Sequence, residues 1–90
     1  MTLPKIKLSN YEKNLETITM KNELLNDIRL VGYTVCENDA GVLQIEGDHF
    51  IIEYEFKQYW LYAKDEVGGI DYVDEFDNLD DALEGARFLQ

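Results

Sequence analysis

From Thr19 the apolar positions recur at helical spacing, through Met20, Leu24, Leu25, Ile28 and Val31, with Gly32 placed to end the run. The spacing predicts one amphipathic helix, with Thr19 as its N-cap and Gly32 as its stop. Past Gly32 the period shortens to two. Residues 33–36 (Tyr-Thr-Val-Cys) read as a strand, Asn38-Asp39-Ala40-Gly41 as a turn, residues 42–46 as a second strand and Gly47-Asp48 as a tight hairpin turn. Residues 49–56 alternate cleanly, with Phe50, Ile52, Tyr54 and Phe56 on one face and Ile51, Glu53 and Glu55 on the other. That is the pattern of a half-buried antiparallel strand. A turn at Lys57-Gln58 leads to a strand over residues 59–63, then to a loop with Gly68-Gly69 and a short fifth strand over residues 70–76. Asp77 or Asn78 caps a last helix, which carries Leu79, Ala82, Leu83, Ala86 and Leu89 on one face.

The predicted architecture is α+β: a helix, an antiparallel meander of four or five strands and a C-terminal helix, with both helices packed on one face of the sheet. Residues 19–90 form a single domain. Residues 1–18 read two ways, as an arm or as a short helix, because Ile6 and Leu8 alternate while Tyr11, Leu15 and Ile18 recur at helical spacing behind Asn10.

Composition sharpens this picture. The chain has 90 residues, 46% of them apolar, which suffices for one modest core despite a net charge of -11. The charge is unevenly placed. Residues 1–30 carry five basic side chains against four acidic ones, and residues 31–90 carry three against fifteen. Between Asp65 and Glu84 stand Asp65, Glu66, Asp71, Asp74, Glu75, Asp77, Asp80, Asp81 and Glu84, with no Lys or Arg among them.

Such a field disfavours direct contact with nucleic acid or an anionic membrane, both of which require a basic footprint. It favours basic proteins, above all those whose own groove normally holds nucleic acid. No apolar run reaches the roughly 18 residues of a membrane span, and no signal-peptide core stands near the start. The single Cys36 fits a reducing compartment, so the expected location is cytoplasmic.

Catalytic chemistry finds little footing. Cys36 and His49 are single residues outside any nucleophile motif, and a buried cysteine and a strand-start histidine describe them as well as a dyad does. Glu53 and Glu55 share a strand face about 6.6 Å apart, a spacing that suits an acid–base pair but equally any solvent-facing strand. Asp71, Asp74, Asp77 and Asp80 recur every three residues without the ligand pattern of a calcium loop. No cofactor motif or zinc spacing is present, so neither a cofactor nor a metal is expected and the chain reads as no enzyme. The aromatic cluster Tyr54, Phe56, Tyr59, Trp60 and Tyr62 reads mainly as sheet core, with Trp60, Tyr62 and Tyr72 as candidate interface anchors. Asp77, Asp80 and Asp81 have a local explanation at a helix N-terminus, where each contributes about 0.3–1 kcal/mol. The remaining acids have none.

In this respect the chain resembles the small acidic phage proteins that inhibit host nucleic-acid enzymes by imitating DNA, and most nearly the type II-A anti-CRISPR proteins. The passage Asn22-Glu23-Leu24-Leu25-Asn26-Asp27-Ile28-Arg29 through Tyr33-Thr34-Val35, the paired strands at residues 50–56 and 59–64, and the acidic last third carry the likeness. It covers about two thirds of the chain. The first eighteen residues and the fifth strand depart from the pattern. The resemblance implies a mechanism in which carboxylates occupy the Lys/Arg groove of a basic nucleic-acid-binding host protein. Asp65, Glu66, Asp71, Asp74, Glu75, Asp77, Asp80, Asp81 and Glu84 would be the phosphate mimics, with Tyr72 and Trp60 as apolar anchors. The alternative is a small acidic interaction module, a homodimer or complex subunit, whose charge only keeps it soluble.

Overall fold

The computed structural model describes residues 18–89. The alternative readings of the segment before them, as arm or short helix, lie outside the described residues. A helix, α1, covers residues 18–25. A single 3-10 turn, Ile28–Leu30, follows. Five strands come next, β1 Thr34–Glu37, β2 Leu43–Glu46, β3 Phe50–Glu55, β4 Gln58–Lys64 and β5 Ile70–Phe76, and the helix α2, Leu79–Arg87, closes the chain. The strands form one antiparallel meander in sequence order, so the fifth strand is real and lies at the edge beside β4.

Both helices lie on one face of the sheet. Leu24 of α1 and Leu79, Ala82 and Ala86 of α2 join Leu43, Ile45, Phe50, Ile52 and Leu61 in a single buried cluster, with Met20, Val35, Tyr54 and Phe76 packed around it. Phe50, Ile45, Ile52 and Leu61 are the largest fully buried side chains. Each contributes about 1.5–3 kcal/mol of hydrophobic stabilisation. Tyr33 meets the Phe50 ring edge-on at 5.1 Å, and Tyr54 packs on Tyr59 at 4.9 Å.

Three details differ from the expected pattern. The first helix does not start at Thr19, which lies inside it, and does not reach Val31. Asn26 returns its side-chain amide to the Asn22 carbonyl. Asp27, in an extended conformation, then caps the 3-10 turn by accepting the Arg29 backbone N–H. A short polar side chain that bonds its own backbone competes with helix continuation, and two in succession end it. The consequence is that Ile28 and Val31 are 84% and 77% exposed, while Leu30 becomes the buried residue. Gly32 therefore does not end α1; it follows the 3-10 turn, at φ +94°, a conformation that favours glycine.

The second difference is the β3–β4 turn, which falls on Phe56 and Lys57 rather than on Lys57 and Gln58. Both residues have positive φ, 55° and 61°. This is the two-residue type I′ geometry whose twist matches antiparallel strands. Phe56 therefore leaves the core face and is 78% exposed. The third is a bulge between Leu61 and Tyr62, where Val73 of β5 is the extra residue.

At the C-terminal helix Asn78, not Asp77, is the N-cap. Its side-chain oxygen accepts the Asp81 N–H at 2.9 Å.

Candidate partner-binding surface

The nine carboxylates between residues 65 and 84 are all exposed. They lie on three consecutive elements: Asp65 and Glu66 at the β4–β5 hairpin, Asp71, Asp74 and Glu75 on the edge strand β5, and Asp77, Asp80, Asp81 and Glu84 before and along α2. Several also have local work. The Asp65 carboxylate accepts the Val67 and Gly69 N–H groups at 3.0 and 2.6 Å and so builds its own hairpin. Asp77 accepts from the Gln58 amide, Asp81 from Asn78, and Asp80 forms an ion pair with Arg29. Among the described residues that ion pair is the only salt bridge made by the nine. On β5 the charges also discourage an exposed strand edge from pairing with another chain. The three-residue recurrence of Asp71, Asp74, Asp77 and Asp80 runs from a strand through a link into a helix. Among the described residues no group of three or more metal-ligating side chains gathers.

The aromatic cluster divides by strand parity. Tyr54 and Tyr59 face the core, whereas Trp60 and Tyr62 face the open side of the sheet together with Tyr72. The Trp60 and Tyr72 rings are 6.3 Å apart and the Tyr62 and Tyr72 rings 6.1 Å. Tyr72 is 54% exposed, so this side is open where the other is sealed by helices.

Register then sets the neighbours. Trp60 pairs with Glu53 on β3 and with Glu75 on β5, giving a transverse row of carboxylate, indole and carboxylate. Glu53 accepts the Gln44 amide at 2.6 Å. Burial, then the Glu53 charge and its hydrogen bond, raise the Tyr62 pKa above the ordinary phenol value. Loss of solvent, then Glu75 and Asp74, do the same for Tyr72. Glu46, on the same face, is neutralised by Lys64 at 2.6 Å. Among the described residues no salt bridge neutralises Glu53, Glu55 or Glu75.

Alternation along β3 groups Glu53 with Glu55 and gives no sign of Trp60 beside them. The missing signal was the hairpin register, because a turn at residues 57–58 instead of 56–57 shifts every β3–β4 pair. Cys36 stands opposite Gln44 and hence level with Glu53, four residues along β3 from His49, or roughly 13 Å. The structure does not bring the two together. A polar hollow of about 420 Å³ between Gly32, Tyr33, Thr34, Glu46, Gly47, Asp48, His49 and Lys64 includes neither Cys36, Glu53 nor Glu55. Its lysine is held by Glu46 and by the Gly47 carbonyl at 3.2 Å. Among the described residues no helix is long and apolar enough to cross a membrane.

The model of a family of unknown function, DUF5495, matches residues 20–90. The chain belongs to that family. The DUF5495 match spans every strand and α2. The chain is also 53% identical over 72 residues to an uncharacterized 9.8 kDa protein of enterobacteria phage T4, from the Gp55-nrdG intergenic region, covering 79% of this chain and 80% of the phage protein. No solved structure matches. This member of DUF5495 is thus a small α+β protein related to a phage protein.

Proposed function

We propose that the chain is a non-enzymatic inhibitor that binds a basic, nucleic-acid-handling host protein through an acidic, DNA-imitating surface, as anti-CRISPR-like or anti-restriction-like proteins do. One observation carries the reading: nine exposed carboxylates on a hairpin, an edge strand and a helix start, with a single ion pair among them in the described residues. Spaced negative charge of this kind fits a groove built for a phosphate backbone. Kinship to a phage protein agrees with such a role. The complex would form fast, weaken steeply with salt and exclude nucleic acid competitively.

Capture of partners from bacterial lysate on the immobilised chain, washed at low and then high salt, tests the reading. A basic nucleic-acid enzyme released by salt and displaced by DNA supports it. A partner that resists salt and has no nucleic-acid role rejects it and favours the second reading, a small acidic interaction module acting as a complex subunit. The open aromatic face around Trp60, Tyr62 and Tyr72 is what favours that alternative. A homodimer through the same face would set Glu53, Glu55 and Glu75 of each copy against those of the other, a like-charge contact that costs stability.

A further inference from the structure

Trp60 occupies the middle of the open sheet face, and both of its cross-strand partners are carboxylates, Glu53 on one side and Glu75 on the other. Paired positions in an antiparallel sheet stand about 4.5–5.5 Å apart, so the two acids bracket one ring. The ring and one of its two acids are held in place. The Trp60 indole N–H donates to the Glu55 carbonyl at 2.9 Å, and the Gln44 amide holds Glu53 at 2.6 Å. Among the described residues neither Glu53 nor Glu75 forms a salt bridge with a cationic side chain.

We propose that the Glu53–Trp60–Glu75 row is a docking site for an arginine side chain presented by a partner protein. The proposal rests on the reading that the chain binds a basic protein, and it places the specific contact on the sheet rather than on the acidic flank. Charge complementarity selects the occupant. A phosphate or a second copy of this face would bring negative charge against both acids. A guanidinium is planar and can stack on the indole while its N–H groups reach a carboxylate on either side, which the compact ammonium of lysine cannot do as well.

Trp60 is the single tryptophan, so its fluorescence in the intact chain reports occupancy directly. The probes are an alternating Arg-Gly peptide and a Lys-Gly peptide of equal length. The Arg-Gly peptide should perturb Trp60 saturably and bind about fivefold or more tighter than the Lys-Gly peptide. The double substitution Glu53→Gln/Glu75→Gln should weaken Arg-Gly binding about tenfold and abolish the preference for arginine. Asp39→Asn/Asp48→Asn, the same change in charge on exposed turns outside the acidic surface, should weaken it about twofold at most. Both pairs lie outside the buried core, and circular dichroism confirms that each variant is folded. If the two peptides bind alike, or the two double variants lose equally, the row is not the site while the acidic-surface reading stands. If neither peptide binds, the row is not the site, and the acidic-surface reading is decided separately by the lysate capture. A self-association that buries Trp60 and excludes the peptide, seen by sedimentation, also overturns the proposal.

Discussion

The indole N–H of Trp60 donates to the backbone carbonyl of Glu55 across the β3–β4 hairpin, at 2.9 Å. The acceptor is the last residue of β3, immediately before the turn at Phe56 and Lys57. One side chain therefore ties the hairpin end to the middle of the open face. Trp60→Phe keeps an aromatic ring and removes the donor. The hydrogen bond should be worth about 1 kcal/mol, and the freed carbonyl can turn to water, so the loss stays small. Urea unfolding followed by far-UV circular dichroism measures it. A midpoint unchanged from the parent would mean that the bond contributes nothing net.

The turn itself stores strain. Phe56 and Lys57 both adopt positive φ, which costs a non-glycine residue about 1–2 kcal/mol. Asn and Gly take that geometry readily. Replacing the pair by Asn-Gly should raise the thermal midpoint by several degrees, since about 1 kcal/mol shifts a domain of this size by ~4–8 °C. Phe56 is 78% exposed, so little core packing is lost. A lower midpoint would show that the aromatic ring contributes more than its exposure suggests.

These two residues also show where the sequence stops being legible. Alternation from Phe50 to Tyr54 marked the strand and its buried face correctly, because the period of two reports which side chains a sheet buries. Alternation cannot tell where the strand ends when the turn lacks Asn, Gly or Pro. Phe56 continues the pattern, and a turn placed one residue late moves every β4 partner by two, setting Glu53 opposite Tyr62 instead of Trp60. The helix that was expected to reach Val31 failed in the same way, since a sound apolar spacing was overruled by the local bonds of Asn26 and Asp27. The acidic flank was fully visible as composition. The Glu53–Trp60–Glu75 row was not, because it joins three strands and exists only once register is fixed.

Gly85 presents two opposed effects. Alanine in a helix interior is favoured over glycine by about 1 kcal/mol. A Cβ at this position, however, would lie 2.9 Å from the Phe76 ring and 3.1 Å from Leu61 Cδ2. Leu61 is fully buried, so the added methyl must push against packed side chains. Overpacking of this kind costs about 1–3 kcal/mol and outweighs the gain in propensity. Gly85→Ala should therefore lower the urea midpoint. A higher midpoint would show that α2 can slide on β4 and β5 to make room.

Tyr62 gives the open face a spectroscopic handle. Burial and the nearby Glu53 carboxylate hold its proton more tightly than in the unfolded chain, where the phenol titrates near pH ~10. The sign follows from linkage: a group with a raised folded pKa adds stability that is complete below the unfolded value and is lost as pH rises through the folded one. The chain should thus lose stability at alkaline pH, above about 10, as Tyr62 and Tyr72 ionise. Glu53→Gln should bring the Tyr62 midpoint down towards the ordinary phenol value while leaving its burial unchanged. The same substitution should leave Tyr72 nearly untouched, because Glu75 and Asp74 are the acids that act there. Glu75→Gln should do the reverse. Ring-carbon NMR titration of the tyrosines resolves each residue separately. If Glu53→Gln fails to move Tyr62, or moves both tyrosines equally, the two carboxylates do not bracket Trp60 as separate, individually held charges.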